Sequence, residues 1–453
     1  MSLEQTKINS GMKSFLLIWI GQIFSLTGSA ITNFGLGIWA WQKTGQATPL
    51  AMVSFFFMVP MIVMTPFAGV WVDRWNRKFV MAISDMLAGL GTGIILVLLT
   101  LGHLEIWHLY LAAVLNGIGA AFQWPAYSAA ISLLVPKHQY TRANGMISLA
   151  ESATGILAPV LGALLISTIG LANILMIDLV TLGIALTFLL VVKIPGVKRI
   201  VEEPGKKQSF WQELGFGFRF ILTRKPLLYL QLGFFFSNLI GGVANPLFTP
   251  IILSKTNNDT VLLGSIQSVA AIGGVLGGLA LTAWGGFKRK TTTVVLGWSV
   301  FGVFTALFGL ARVPWLWMAS LFMFTFVMPF VNGANQAIWM SKVDPSMQGR
   351  VFSIRRLVAQ VSVPLALLVS GPLADKVFEP AFKTGGNWLA NLFSPLVGLG
   401  AGSGMAAILF IAGNVGISVG VIGWMNPLIR DAETLLPDHD SVEAVPVELE
   451  TMS

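Results

Sequence analysis

Cysteine is absent from the chain, which excludes disulfides, thiolate nucleophiles and thiolate metal sites. Charge is scarce: only 11% of the 453 residues are Asp, Glu, Lys or Arg, against 55% hydrophobic, and the mean hydropathy is +0.77. A soluble domain of this size could not cover so much apolar surface. Histidine is rare and scattered at positions 103, 108, 138 and 439, without metal-ligand spacing. Gly273-Gly274 and Gly277-Gly278 lie inside an apolar run and read as packing glycines, not as a nucleotide loop. No catalytic constellation, cofactor motif or metal site emerges, so the chain does not read as an enzyme.

What is present is a series of apolar runs of about 20 residues or more, each long enough to span a bilayer. They predict twelve transmembrane helices near 14–38, 50–71, 79–101, 106–134, 143–168, 171–192, 227–252, 261–285, 291–311, 314–340, 351–375 and 396–424. The first run is too long for a cleaved signal peptide and reads as a retained span. With the N-terminus inside, 23 of the 28 Lys and Arg fall on inner segments and 5 on outer ones. Both termini are therefore expected in the cytoplasm. The net charge of +8 is juxtamembrane charge that meets anionic lipid and calls for no nucleic acid. The tail from Asp431 holds seven of the twenty Asp and Glu and reads as disordered.

A polar stretch, 193–226, separates residues 1–192 from 227–430, with the tail at 431–453. Its aromatic part, 210–222, predicts an amphipathic helix on the inner membrane surface. The two halves repeat. Arg77-Lys78 recurs as Arg289-Lys290, an offset of 212, while Pro136 and Arg142 recur as Pro345 and Arg350, offsets of 209 and 208. The expectation is an all-α membrane protein of two six-helix parallel repeats, with its site at their interface. In the second copy, Gly285-Gly286 stand where Asp73-Arg74 stand in the first.

Gly69, Asp73, Arg74, Arg77 and Lys78 crowd the turn after the second run. Asp73 and Arg77 are spaced to pair if that turn is helical. The constellation resembles the loop between helices 2 and 3 of the major facilitator superfamily of transporters. Gly21-Gln22, Ser25 to Ser29, Thr44-Gly45, Pro60, Asp85 and Thr223 to Pro226 follow in the order of its macrolide-efflux-like, drug:proton antiporter branch, over residues 14–375. In the antiporter motif of helix 5, Gly155 to Ala163, Ala158 and Ala163 replace glycines of the family pattern. The resemblance implies a monomeric exporter of an amphipathic organic compound, driven by proton antiport with alternating access. It also implies that Asp73 caps helix 11, beginning at Gly349-Arg350, to close the cytoplasmic side. Helices 5 and 8 would meet at the interface, and helices 1, 4, 7 and 10 would line the cavity. A lysolipid or other lipid translocator of the same fold is the alternative.

Acidic groups inside the bilayer cost ~2.5–3.5 kcal/mol on insertion scales, so they are rarely idle. Glu151, Asp178 and Asp85 qualify as proton-coupling candidates. Glu151 shares a helix face with Gly155, Ala158 and Gly162, a small-residue stripe that suits a seam with helix 8. A carboxyl there could alternate between neutral and ionised as water comes and goes; the structural alternative is one interhelical hydrogen bond. Asp85 is expected to join the network around Asp73 and Arg77, and Asp178 to bond Thr181.

Amides facing lipid are costly, so the polar stripes should face the cavity as substrate-binding residues. They are Gln22 and Asn33; Asn116, Gln123 and Tyr127; Asn238 and Asn245; and Asn332, Asn335 and Gln336. None carries a permanent charge. That favours a neutral or amphipathic ligand over a phosphate or dicarboxylate, which would want a buried Arg or Lys. Arg355 and Arg356, one turn into the eleventh run, are expected to snorkel to the inner surface, or one of them to face the cavity.

Overall fold

The computed structural model describes residues 3–136, 139–192 and 210–438, and among them there is no strand. Six long helices come first: α1 (Leu3–Thr44), α2 (Thr48–Arg74), α3 (Arg77–Thr100), α4 (Ile106–Leu134), α5 (Tyr140–Thr168) and α6 (Gly170–Val191). A linker helix, α7 (Phe210–Thr223), leads to α8 (Lys225–Lys255), α9 (Thr260–Trp284), α10 (Lys290–Leu310), α11 (Pro314–Lys342) and α12 (Pro345–Leu373). A π turn (Ala374–Phe378) joins α12 to the short helices α13 (Glu379–Thr384) and α14 (Trp388–Val397), before the last long helix, α15 (Ser403–Met425). Eleven of these helices are long and apolar enough to cross a membrane. The twelfth, α4, has 29 residues, roughly 43 Å at helical rise; His108, Asn116 and Gln123 dilute its apolar run.

Two boundaries differ from the sequence expectation. The eleventh span starts at Pro345, because the helix runs on through the polar residues Gln348, Gly349 and Arg350. Gly349-Arg350 therefore lie inside α12, not at its start. The last span starts at Ser403, not near 396. Gly398, Gly400 and Gly402 have φ of 86°, 101° and 80°, a left-handed conformation that ends α14 and resets the chain.

The first six helices pack as one bundle: α2 on α4, α3 on α4, and α1 on α5 and α6. The pairing recurs in the second bundle, with α9 on α11, α10 on α11, and α8 on α12 and α15. In both, small residues allow the close approach that packing within a membrane needs. A Cβ on Gly302 of α10 would lie 2.3 Å from the Ile417 nitrogen and 2.5 Å from the Gly413 carbonyl oxygen of α15.

The bundles touch unequally at their two ends. At the end away from the linker, here the far end, one core joins Ile38, Trp41 and Ala47 to Leu247, Ile251, Leu263 and Phe382. At the linker end the cores are separate. One, with Phe15, Met81 and Leu189, draws only on the first six helices. The other, with Leu230, Trp298 and Val351, draws only on the linker helix and the residues after it.

The linker helix turns Phe220 and Ile221 into that second core, and its Gly217 lies against Arg350 and Ile354 of α12. The tail is not disordered from Asp431. Residues Ala432–Leu435 form a helical turn, and the Glu433 carboxylate accepts from the Thr291 N–H (2.9 Å) and hydroxyl (3.0 Å) at the start of α10. Buried Lys342 donates to the Glu433 and Leu436 carbonyls and to Asp438. These bonds satisfy a helix terminus and a buried cation together. The rest of the tail and residues 193–209 lie outside the described residues.

Gly302→Val tests the α10–α15 seam. Its added atoms meet backbone, which cannot turn aside, so the variant should lose ~1–3 kcal/mol or more and unfold at lower temperature in detergent. An unchanged unfolding temperature would show that the seam is loose.

Candidate functional site

Asp85 of α3 does not join the loop network expected for it. Its carboxylate accepts from Gln22 Nε2 of α1 (3.3 Å) and Gln123 Nε2 of α4 (3.0 Å), and Gln123 also donates to Gln22 Oε1 (3.1 Å). The three side chains tie three helices together, and Gln22 and Gln123 are engaged in that network. Asp178 of α6 bonds Ser29 of α1 and Thr92 of α3, both at 3.0 Å. Thr181, the expected partner, donates instead to the Asp178 backbone carbonyl. Ser29 and Thr92 reach Asp178 from neighbouring helices, which local spacing could not reveal.

Glu151 lies outside the α5–α9 seam. The seam itself exists: Gly264 of α9 abuts Pro159, the Ser268 hydroxyl donates to the Ile156 carbonyl (2.6 Å), and Gly155 faces Ala271. Glu151, one turn nearer the linker end than Gly155, is exposed. Tyr127 is buried, and its hydroxyl has no hydrogen-bond partner among the described residues.

In the loop after α2, Trp75 and Asn76 have extended backbones, so no continuous helix brings Asp73 and Arg77 into an i,i+4 pair. Asn76 caps α3 by accepting from the Lys78 N–H. The Lys78 ammonium donates to the Leu190 and Val192 carbonyls, at 2.6 and 2.9 Å, and so ties α3 to α6 within one bundle. Arg350 lies over the Phe216 ring, 4.7 Å from its centroid. The side chains of Gly69, Asp73 and Arg74 lie outside the described residues.

Four cavities with shared walls run through the centre; one, of 420 Å³ between Asn33, Thr154 and Gln267, adjoins the three that follow. The first, of 570 Å³, has Asn33, Asn116, Asp178 and Asn245 in its wall. The second, of 340 Å³, adds Asn238 and Asn332 to Asn245, among Phe234, Trp298 and Phe301. The third, of 260 Å³, has Asn335 and Gln336 beside Arg355 and Arg356. Helices 1, 4, 7 and 10 all contribute. Ser54 and Met58 of α2 and Trp298 and Phe301 of α10 also line these spaces and were missed, because the polar-stripe criterion passes over apolar walls.

One further residue was missed. Asp375, in the π turn after α12, accepts from the backbone N–H of Ala47 (2.9 Å) and Thr48 (2.7 Å) and from the Thr48 hydroxyl. It caps α2 from the other bundle, where Ala47 offers no side-chain cap. Nearby, Trp41 Nε1 donates to Asn258 Oδ1 across the bundles (2.9 Å). An acidic residue at the outer edge of a span was the available signal.

Twelve long helices in two repeated bundles around central cavities define a multi-pass membrane transporter. Residues 18–367 match the Major Facilitator Superfamily, and the chain belongs to that family. It is 28% identical over 373 residues to Macrolide efflux protein A of Streptococcus pyogenes, covering 82% of this chain and 92% of that protein. It is 24% identical over 383 residues to the multidrug efflux pump Tap of Mycolicibacterium fortuitum, covering 81% and 90%. In fold it resembles a bacterial homolog of the human lysosomal transporter Spinster in an inward-facing, unoccupied conformation, with a TM-score of 0.66, 16% identity, and coverage of 94% and 98%.

The absence of native cysteine makes the cavities directly testable. Asn116→Cys, Asn245→Cys and Asn332→Cys should react with water-soluble thiol reagents. Ser370→Cys, at a position with no exposed surface and bonded to the Val243 carbonyl, should not. Equal labelling of all four would place these cavities wrongly.

Proposed function

We propose that the protein exports an amphipathic organic compound across the bacterial cell membrane by alternating access, driven by proton antiport. The observation that carries this reading is the unequal joining of the bundles: a common core at the far end and separate cores at the linker end. The basic-residue bias puts the linker end, with both termini, in the cytoplasm. The cavities then load from inside while Asp375 and the shared core bar the outside. The efflux names of the bacterial relatives fit the same direction of transport.

Release requires the far end to part and the linker end to close. The Asp375 cap and the Trp41–Asn258 bond must break, and the loop from Gly69 to Lys78 must approach α12. Asp178 is the coupling group best placed for this cycle. It is buried in the cavity wall, held by two hydroxyls, and no cation pairs with it among the described residues. Water admitted to that cavity favours its ionised form, and a dry cavity favours the neutral one. One charge moving through 100 mV supplies ~2.3 kcal/mol.

In proteoliposomes, Asp178→Asn should lose uphill export driven by a pH gradient yet keep downhill exchange of the same substrate. Glu151→Gln should keep both. The reverse pattern would move coupling to Glu151, and uphill export by both variants would leave Asp85 as the remaining acid.

Asp375→Ala should loosen the far end. Hydrogen bonds to a charged group contribute ~1.5–3 kcal/mol each, so labelling of Asn245→Cys from outside should rise roughly tenfold or more in the Asp375→Ala background. Labelling that stays at the parent level would show that the shared core alone closes this end.

A further inference from the structure

The third cavity holds a feature that a neutral ligand leaves unused. Arg355 is not one turn from the inner edge: α12 starts at Pro345, so Arg355 sits roughly 15 Å along the helix. It is half-buried, packed over the rings of Trp339 and Phe352 at 5.4 Å from each centroid. Among the described residues its buried Nη1 has no partner, and no carboxylate pairs with Arg355 or with Arg356 beside it. The backbone here is held in place. Gln231 donates to the Arg355 carbonyl (3.0 Å) and Asn238 to the Ala359 carbonyl (3.3 Å). Asn335 in the same wall is 6% exposed, and its Oδ1 has no partner among the described residues. The cavity shares Phe234, Asn238 and Asn332 with the aromatic chamber next to it.

The two ring faces offset part of the cost of taking this guanidinium from water, and an anion would offset the rest. The planar fork of the guanidinium suits a carboxylate or phosphate, and the free Asn335 oxygen suits a hydroxyl beside that group. We propose that this cleft is an anion subsite. It takes the carboxylate or phosphate monoester of an amphipathic solute whose apolar body lies in the aromatic chamber. The proposal rests on the export reading and narrows its substrate to an amphipathic organic anion. It also follows the second of the two sequence expectations for Arg355 and Arg356, that one of them faces the cavity, and so sets aside the reading of a cavity without permanent charge.

The test uses the full chain in phosphatidylcholine nanodiscs, with binding read by tryptophan emission. The probes are dodecyl phosphate, naphthalene carboxylate, naphthol and dodecyltrimethylammonium. The two anions should bind wild type more tightly than naphthol or the cation. Arg355→Gln should weaken them roughly tenfold or more and leave naphthol unchanged, while Arg355→Lys recovers part of the loss. Arg355-dependent binding of dodecyl phosphate alone identifies a lipid-like head; dependence of naphthalene carboxylate alone identifies a soluble compound. Anion binding untouched by Arg355→Gln, or naphthol weakened as much as the anions, overturns the subsite. Uphill export of a neutral or cationic drug without Arg355-dependent anion binding would sink the subsite and keep the export reading. Arg355-dependent binding with no uphill transport of any probe would do the opposite.

Discussion

The carboxylate of Asp375 on the first turn of α2 is the bond on which this arrangement of the bundles turns. The opening N–H groups of a helix have no partner within it, and Ala47 brings no side chain to satisfy them. Asp375 reaches them from the other bundle, adding negative charge where the helix dipole favours it. The backbone makes room for the approach. A Cβ on Gly371 would lie 2.5 Å from the Thr48 Cα, so only glycine lets α12 come so close. Around this contact the core from Ile38 to Phe382 closes. A polar bond suits a gate better than more apolar packing, because water can replace it when the end opens.

Inside each bundle the same rule about unsatisfied polar groups does a different job. Asp85 with Gln22 and Gln123, Asp178 with Ser29 and Thr92, and Thr27 with Thr154 link α1 to α3, α4, α5 and α6. Without water, each such group needs a protein partner, and supplying the partners knits the first bundle into one body. Alternating access by rocking needs bodies that keep their shape while the interface changes.

Much of this was legible in the sequence, for physical reasons. Hydropathy reports length and apolarity, so the long helices and their repetition could be read. It does not report backbone dihedrals, so the Gly398–Gly402 break passed as part of a span. Helical periodicity gave the face that Glu151 shares with Gly155. It could not say that Glu151 stands exposed, since exposure belongs to the packing of the helices and to the state of the transporter. Asp85 and Asp178 were recognised as costly and purposeful, yet their partners lie up to 149 residues away. The choice between the two expectations for Arg355 stayed open because the apolar run begins six residues after the helix does, which hides how far along α12 it sits.

The two bundles are chemically unlike despite their shared plan. The first lines its interior with acids, Asp85 and Asp178; the second with amides and an unpaired guanidinium, Arg355. If Asp178 carries the proton and Arg355 the anionic head of the substrate, the two never compete for one site. Coupling then has to act through the rocking itself, with each ligand favouring a different closure. The charge movement follows. An anion leaving as a proton enters transfers two charges in the same electrical sense, worth ~4.6 kcal/mol at 100 mV, whereas a cation leaving in exchange for a proton would transfer none. An anionic substrate exchanged for a proton would thus let the membrane potential, and not the pH gradient alone, drive export.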